Sequence, residues 1–260
     1  MQTRTGTVKS LVRGLAPETL VQWYDLFKLH LVRRKNRNRT LEEIFTEIYD
    51  FNKWGGSKGE LCSGAGTDDE QTVSAYTTMI AEKASVEGFG DTTFVDLGCG
   101  DFRVGKQLLP MCADYIGVDV VKPLIRENQE KFGGTNTHFM HLDIVKNELP
   151  DGDVCFIRQV LQHLSNEQIV SVLEKLRKYK WVFITEHYPT DSGSIKSNMD
   201  KVHGADIRLY DNSGVYFTEF PFELPERLLT MVLEVPGVGM RRGYDQGVIR
   251  TYCYKPERGD

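Results

Sequence analysis

The sequence predicts an α/β fold: a doubly wound, mostly parallel seven-stranded sheet with an antiparallel C-terminal strand pair and an N-terminal helical extension. Three observations carry this expectation. From Thr92 onward, short β-branched and apolar runs alternate with segments able to form helices. Glycines gather directly after the first of those runs, in "FVDLGCGDFRVG". The first 55 residues lack the alternation and instead carry apolar residues at helical spacing, followed by a basic run.

The chain order justifies each element. In "LVQWYDLFKLHLV", Leu20, Tyr24, Phe27 and Leu31 recur three and four residues apart and so share one helix face. The expected role of that face is to pack on the main domain. Docking to a partner or a membrane surface through residues 16–39 is the alternative, because the basic run Arg33 to Arg39 follows it. A second helical pattern, "LEEIFTEIYDF", completes an extension over residues 1–55. The main domain is expected over 56–260. A Gly-rich stretch holding Trp54, Gly55, Gly64 and Gly66 spans the boundary, followed by a helix from Asp68 to Ala84 carrying Thr72 and Tyr76 one turn apart. The runs "TFVDLG", "DYIGVDVV", "THFMHLDI", "GDVCFIRQ" and "WVFITEHY" read as five parallel strands, since parallel neighbours need crossover helices between them. "LLTMVLEVPGV" and "GVIRTYCYKP", joined by "GMRRGYDQ", read as the antiparallel pair.

Composition narrows the function. At 260 residues and 40% hydrophobic, the chain can bury a sizeable core. Its net charge of -5 offers no global attraction to nucleic acid. The five cysteines are scattered and include no C-x-x-C pair, so neither a disulfide framework nor a zinc site is expected, and a reducing cytoplasm fits best. Cys99 and Cys155 read as packing residues. No apolar run approaches the roughly 20 residues of a membrane span, and "MQTRTGTVKS" lacks the apolar centre of a secretory signal.

In doubly wound sheets, ligands sit beyond the carboxyl ends of the strands. Gly98 and Gly100 there permit a tight turn and close backbone approach, beside Asp96 and Asp101. A dinucleotide fingerprint would put a third glycine where Arg103 stands, and a P-loop would need its terminal glycine-lysine-serine or threonine. Both readings lose ground. Asp119, with Val120 beside it, follows the second strand and can accept from both ribose hydroxyls; Asp143 follows the third and can accept from an adenine amino group while Ile144 packs on the ring. Together these residues describe an adenosine pocket without a phosphate grip.

With those residues in view, the chain resembles the class I S-adenosylmethionine-dependent methyltransferases from about Leu61 to Tyr254: "VDLGCGDF" is similar to their first motif, "YIGVDVV" to the second, "HLDI" to the third, and "CFIRQVLQHLS" to the segment after the fourth strand. "NKWGG", "SGAGT", "CGDF", R-x-x-L-x-H-L-S and "PFELP" further resemble a subgroup found with polysaccharide and glycan-modification genes. Gln159 departs from that subgroup, where an acidic residue is expected. The resemblance implies a Rossmann-like fold, S-adenosylmethionine as cofactor and a small-molecule or glycan acceptor, with no metal required. It also implies cofactor contacts from Trp54, Tyr76, Asp96, Gly98, Gly100, Asp101, Asp119, Val120, Asp143, Ile144 and Arg158.

Chemistry is expected around the end of the fourth strand. "SNEQ", Ser165 to Gln168, matches a capping box and starts a helix, which leaves Arg158, Gln159 and His163 in the strand end and loop. His163 is the candidate base, with a backbone-bonded structural histidine as the opposing reading; Glu186 and His187 at the end of the fifth strand are its rivals. The long connection from Tyr188 to about Pro225 is expected to cover the substrate, with Gln159, Tyr188, His203, Arg208 and Tyr210 facing it. The reading is an enzyme that methylates a small polar acceptor, a hydroxyl of a sugar or glycoside. The alternatives are a noncatalytic binding module docking through its N-terminal helix and a nicotinamide-dependent oxidoreductase.

Overall fold

A computed structural model describes residues 18–56, 60–190, 194–240 and 244–257. The first 17 residues of the expected extension, residues 57–59 of the Gly-rich stretch, 191–193 of the long connection and 241–243 of the late link lie outside the described residues.

All seven expected strands form: β1 Thr93–Leu97, β2 Asp114–Asp119, β3 Thr137–His141, β4 Val154–Arg158, β5 Trp181–Tyr188, β6 Leu229–Pro236 and β7 Val248–Tyr254. Their order across the sheet is β3-β2-β1-β4-β5-β7-β6. The first five pair in parallel, while β7 runs antiparallel to β5 and to β6. Strand order reverses between β1 and β4, so their carboxyl ends flank a crevice. Every residue of β5 is buried and only Arg158 of β4 is partly exposed, as expected for central parallel strands covered on both faces.

Helices α1 Glu18–Asn36, α2 Leu41–Asp50, the single turn α3 Ala65–Asp68, α4 Glu70–Glu87, the short α5 Gly105–Leu108, α6 Lys122–Phe132 and α7 Asn166–Leu176 complete the order. On one face of the sheet Ile169, Val172 and Leu176 of α7 pack in a core with Leu97, Ile157 and Val182. On the other, Tyr76 and Ile80 of α4 join Phe94, Phe156 and Phe183, whose rings are in contact. The capping box at Ser165 is present, and a second one at Thr40 with Glu43 starts α2. Helix α4 begins later than its pattern suggested, because Asp69 caps it by accepting from the Thr72 amide at 2.8 Å.

The extension departs from expectation in one respect. The face of α1 that carries Leu20, Tyr24, Phe27 and Leu31 points to solvent and does not pack on the domain. Polar residues hold the opposite face down. Asp25 and Asn36 are buried, and Arg33 forks between Asp206 and Asp211 of the long β5–β6 connection, with its Nε 3.0 Å from Asp206 Oδ2 and its Nη1 3.1 Å from Asp211 Oδ1. Lys201 lies 3.3 Å from the same Asp206 carboxylate. The three- and four-residue spacing correctly identifies a shared face; it carries no information about which face the ion pair turns inward.

This fork is partly buried, so its loss leaves two carboxylates short of a donor. Arg33→Ala is expected to lower stability by about 1–3 kcal/mol in urea unfolding, and Arg33→Lys to recover only part of it because an ammonium cannot span both carboxylates. A change below about 0.5 kcal/mol would mark the contact as an ordinary surface pair.

Candidate functional site

A cavity of about 910 Å³ opens at the carboxyl ends of β1, β2 and β4. That is at the upper end of the range for ligand pockets and leaves room for two small molecules. Its floor begins in the loop after β1. Gly98 and Gly100 adopt φ of 79° and 55°, and a Cβ on Gly98 would lie 2.4 Å from Val160 Cγ2, across the point where strand order reverses. Asp119 holds this loop: its Oδ2 accepts from the Gly100 amide at 3.1 Å and its Oδ1 from the Val121 amide at 3.0 Å. Burial pushes the Asp119 carboxyl above the ordinary range, opposed by those amides.

Each expected cofactor residue, Trp54, Tyr76, Asp96, Gly98, Gly100, Asp101, Asp119, Val120, Asp143, Ile144 and Arg158, lines this cavity. Their local roles differ. Asp96 accepts from the buried Tyr115 hydroxyl and is raised to about 6 by burial. Asp101 accepts from the Ser63 amide at 3.0 Å while its own amide donates to Ser63 Oγ at 2.8 Å, which docks the Gly-rich stretch onto the β1 loop. Tyr49 of α2 shares a 2.9 Å hydrogen bond with the same Ser63 hydroxyl. Arg158 donates to the Gly66 carbonyl at 2.7 Å, and its guanidinium lies over the Tyr76 ring. Among the described residues, its Nε and the Tyr76 hydroxyl have no hydrogen-bond partner. Such orphaned groups beside an opening fit a polar ligand at this end.

Gln159 also lines the cavity and holds a left-handed φ of 56°, uncommon for a residue with a side chain. Gly66 makes room for it, since a Cβ there would fall 2.0 Å from Gln159 Oε1. His163 sits in a tight turn at Leu161–His163 with its ring against Phe45 and Trp54. Its Nδ1 is 3.1 Å from the Gly204 carbonyl, so this nitrogen carries the proton. Burial, with Lys201 adding to it, lowers the ring's pKa to about 4. His187 lines the cavity too, and its Nε2 donates to the Gln246 carbonyl at 2.6 Å.

Other expected site residues lie elsewhere. Glu186 is fully buried behind the cavity, where its two oxygens accept from the Leu161 and Gln162 amides at 2.8 and 3.1 Å; the carboxylate holds the β4 loop instead of facing a substrate. Burial raises its pKa to about 8. Tyr188 is buried and donates to the Val215 carbonyl. Arg208 is buried and donates to the carbonyls of Met199 and Leu164 and to Asn166 Oδ1, stitching the long connection to the start of α7. His203 bridges Gln168 and the Arg39 carbonyl. Tyr188, Arg208 and His203 brace the cover from outside the cavity, and of the expected substrate set Gln159 and Tyr210 line it.

Sequence reasoning missed what α1 and α2 contribute. Asp25, Lys28, Leu29 and Lys35 line one side of the cavity, and Phe45 and Tyr49 another. The T-x-x-E capping box at Thr40, followed by Leu41, Ile44 and Ile48, was a readable signal that α2 packs inward.

Residues 94–179 match the family model described as a methyltransferase domain. A curated relative, phosphoethanolamine N-methyltransferase 1 of Triticum aestivum, is 25% identical over 139 residues, which span 49% of this chain and only 28% of that protein. Among solved structures, the Burkholderia thailandensis 1,6-didemethyltoxoflavin-N1-methyltransferase with bound S-adenosylhomocysteine is similar at a TM-score of 0.53, with 12% identity, 82% of this chain and 86% of that one covered. The N-methyltransferase NodS of Bradyrhizobium japonicum WM9, in complex with S-adenosylhomocysteine, reaches a TM-score of 0.50 at 16% identity, covering 73% and 90%. The chain thus matches a methyltransferase-domain model over residues 94–179 and has the fold that both of these structures share.

The His163 environment has a pH signature. Its folded pKa is depressed below the ordinary 6.5, so the stability of the neutral ring is full above that value and is lost as pH falls toward about 4. Between about pH 7 and pH 5, the wild type is expected to lose roughly 1–2 kcal/mol more than His163→Gln in chemical unfolding. Equal losses would place the ring in water.

Proposed function

We propose that this protein transfers a methyl group from S-adenosylmethionine to a hydroxyl of a small polar acceptor, a sugar or glycoside. The observation that carries the donor reading is Asp119: both oxygens are oriented by backbone amides at the end of β2, and each retains a lone pair for a ribose hydroxyl. Asp143, whose Oδ1 accepts from the Val145 amide at 3.0 Å, would receive the adenine amino group, with Val120 and Ile144 against the ring. Gly98 and Gly100 would bring the backbone close to the donor. Arg158, Tyr76 and the adjoining Trp54 would surround its amino-acid end, where the orphaned Nε and hydroxyl support a polar occupant.

When bound, S-adenosylmethionine supplies an electrophilic methyl on a sulfonium. The chain's own contribution is to hold the acceptor oxygen in line with that methyl and to exclude water. Gln159, pinned between Gly66 and the end of β4, and Tyr210 on the cover would position the acceptor. The far end of the cavity carries Lys28, Lys35, Arg39 and Lys53 against Asp25 and Glu47. Three of those cations pair with Glu47 and help hold its carboxyl down at about 2. The proposed acceptor atom is oxygen, although both similar structures are N-methyltransferases by name. The proposed base is His163, neutral at physiological pH, with His187 as its rival on the next strand.

Two experiments test the reading. Asp119→Ala is expected to weaken S-adenosylhomocysteine binding about tenfold to a hundredfold by calorimetry, the loss of charge-assisted hydrogen bonds worth roughly 1.5–3 kcal/mol. Unchanged affinity in the folded variant would remove Asp119 from the donor site. With labelled donor and a panel of sugars, glycosides and small amines, label is expected on the hydroxyl compounds, and His163→Gln is expected to lower turnover about a hundredfold at nearly constant donor affinity. Transfer only to amines would overturn the acceptor class, and near-normal turnover in that variant would move the base to His187.

A further inference from the structure

Helix α1 turns most of its large apolar side chains away from the cavity. The face toward the cavity presents Asp25, Leu29 and Asn36, while Leu20, Trp23, Tyr24, Phe27 and Leu31 form a continuous stripe on the outside. The stripe is openly displayed, with Leu20 63% and Trp23 68% exposed. Trp23 and Phe27 stack on each other at 5.8 Å, one turn apart, which gives the stripe a flat aromatic centre. Five large apolar side chains in one line on a water-soluble surface need an occupant.

The charge around the stripe says which kind. Lys28 and Lys35 lie along one margin of the stripe, and His30 and Arg34 along the other, with Arg37 just past the end of the helix. From Lys28 to Arg39 the chain holds six lysines and arginines and no acidic residue, although the whole protein carries a net charge of -5. Beside the stripe, His30, Arg33, Arg34, Arg37, Asp200 and Lys201 line a second cavity of about 530 Å³, in which Arg33 and Lys201 are already paired with Asp206. An apolar and aromatic face bordered by cations is the arrangement that lies in a lipid headgroup layer, with the rings at the acyl boundary and the cations on anionic headgroups. Among the described residues no helix is long and apolar enough to cross a membrane, so the geometry is that of a helix lying on the surface.

We propose that α1 docks the protein on an anionic lipid surface, seating Leu20, Trp23, Tyr24, Phe27 and Leu31 at the headgroup boundary and setting His30, Arg34 and Arg37 among the headgroups. The stripe and the reaction cavity then lie on opposite faces of one helix, and membrane engagement leaves the cavity-lining residues untouched. This inference stands independently of the methyl-transfer reading, since none of the five stripe residues lines the cavity.

Flotation of the full chain with phosphatidylcholine vesicles, with and without about one third phosphatidylglycerol, tests it. The protein is expected to float with the anionic vesicles, about tenfold or more weakly with the neutral ones, and to be released as salt screens the cations. The doubly substituted W23S/F27S protein is expected to lose most of this binding with unchanged circular dichroism and thermal midpoint, and R34E/R37E to lose the preference for anionic lipid. Failure of the wild type to float, or flotation of W23S/F27S at the wild-type level, would overturn the proposal. So would a dimer in sedimentation that W23S/F27S dissociates, because the stripe would then belong to a second copy of the chain.

Discussion

One carboxylate joins the two loops on which the cavity is built. Asp119 ends β2 and receives the amides of Gly100, in the loop after β1, and of Val121, at the start of α6. Parallel strands bring all their carboxyl ends to one edge, but they leave the loops there without strand partners. A partly buried carboxylate that collects two backbone amides supplies what the sheet cannot, and the loss of water around it makes the bonds strong because the alternative is an unpaired charge. The positive φ of Gly98 and Gly100 follows from the same demand, since the chain must turn sharply enough to present its amide to the neighbouring strand.

The second layer of the site is attached to the first by polar contacts. Ser63 exchanges hydrogen bonds with Asp101 and meets the Tyr49 hydroxyl, so one serine links α2, the Gly-rich stretch and the β1 loop. Arg158 reaches from β4 to the Gly66 carbonyl. Arg33 ties α1 to the long connection through Asp206 and Asp211. Hydrogen bonds and partly buried ion pairs are directional and individually worth little. They set where each segment sits over the cavity while the aromatic and aliphatic core beneath the sheet supplies most of the stability.

The motif segments were legible because their constraints are local. A strand shows in a run of apolar residues, a helix start in a capping box such as Ser165 to Gln168, and a loop that meets a ligand in paired glycines. Asp96, Asp119 and Asp143 could be singled out because each follows a recognisable strand, and the sheet's topology then carries all three to the same cavity. The long connection offered no such rule. Arg208 and His203 looked like substrate residues by type, yet Arg208 is spent on the Met199 and Leu164 carbonyls and the Asn166 side chain, and His203 on Gln168 and the Arg39 carbonyl. Glu186 is the sharpest example: a carboxylate at a strand end beside the candidate loop, turned to hold that loop's amides.

The sequence by itself determined the strand order's raw material, the glycine turn and the acidic residues at three strand ends, because each depends on neighbours within a few positions. Only the tertiary structure decided which side of α1 faces inward, which histidines reach the cavity and which charged groups are spent on bracing it. Those choices depend on partners far away in the chain, as Arg33 depends on Asp206 and Asp211, and the hydrophobic period that marks a helix face is the same whether the face meets a protein core or the solvent.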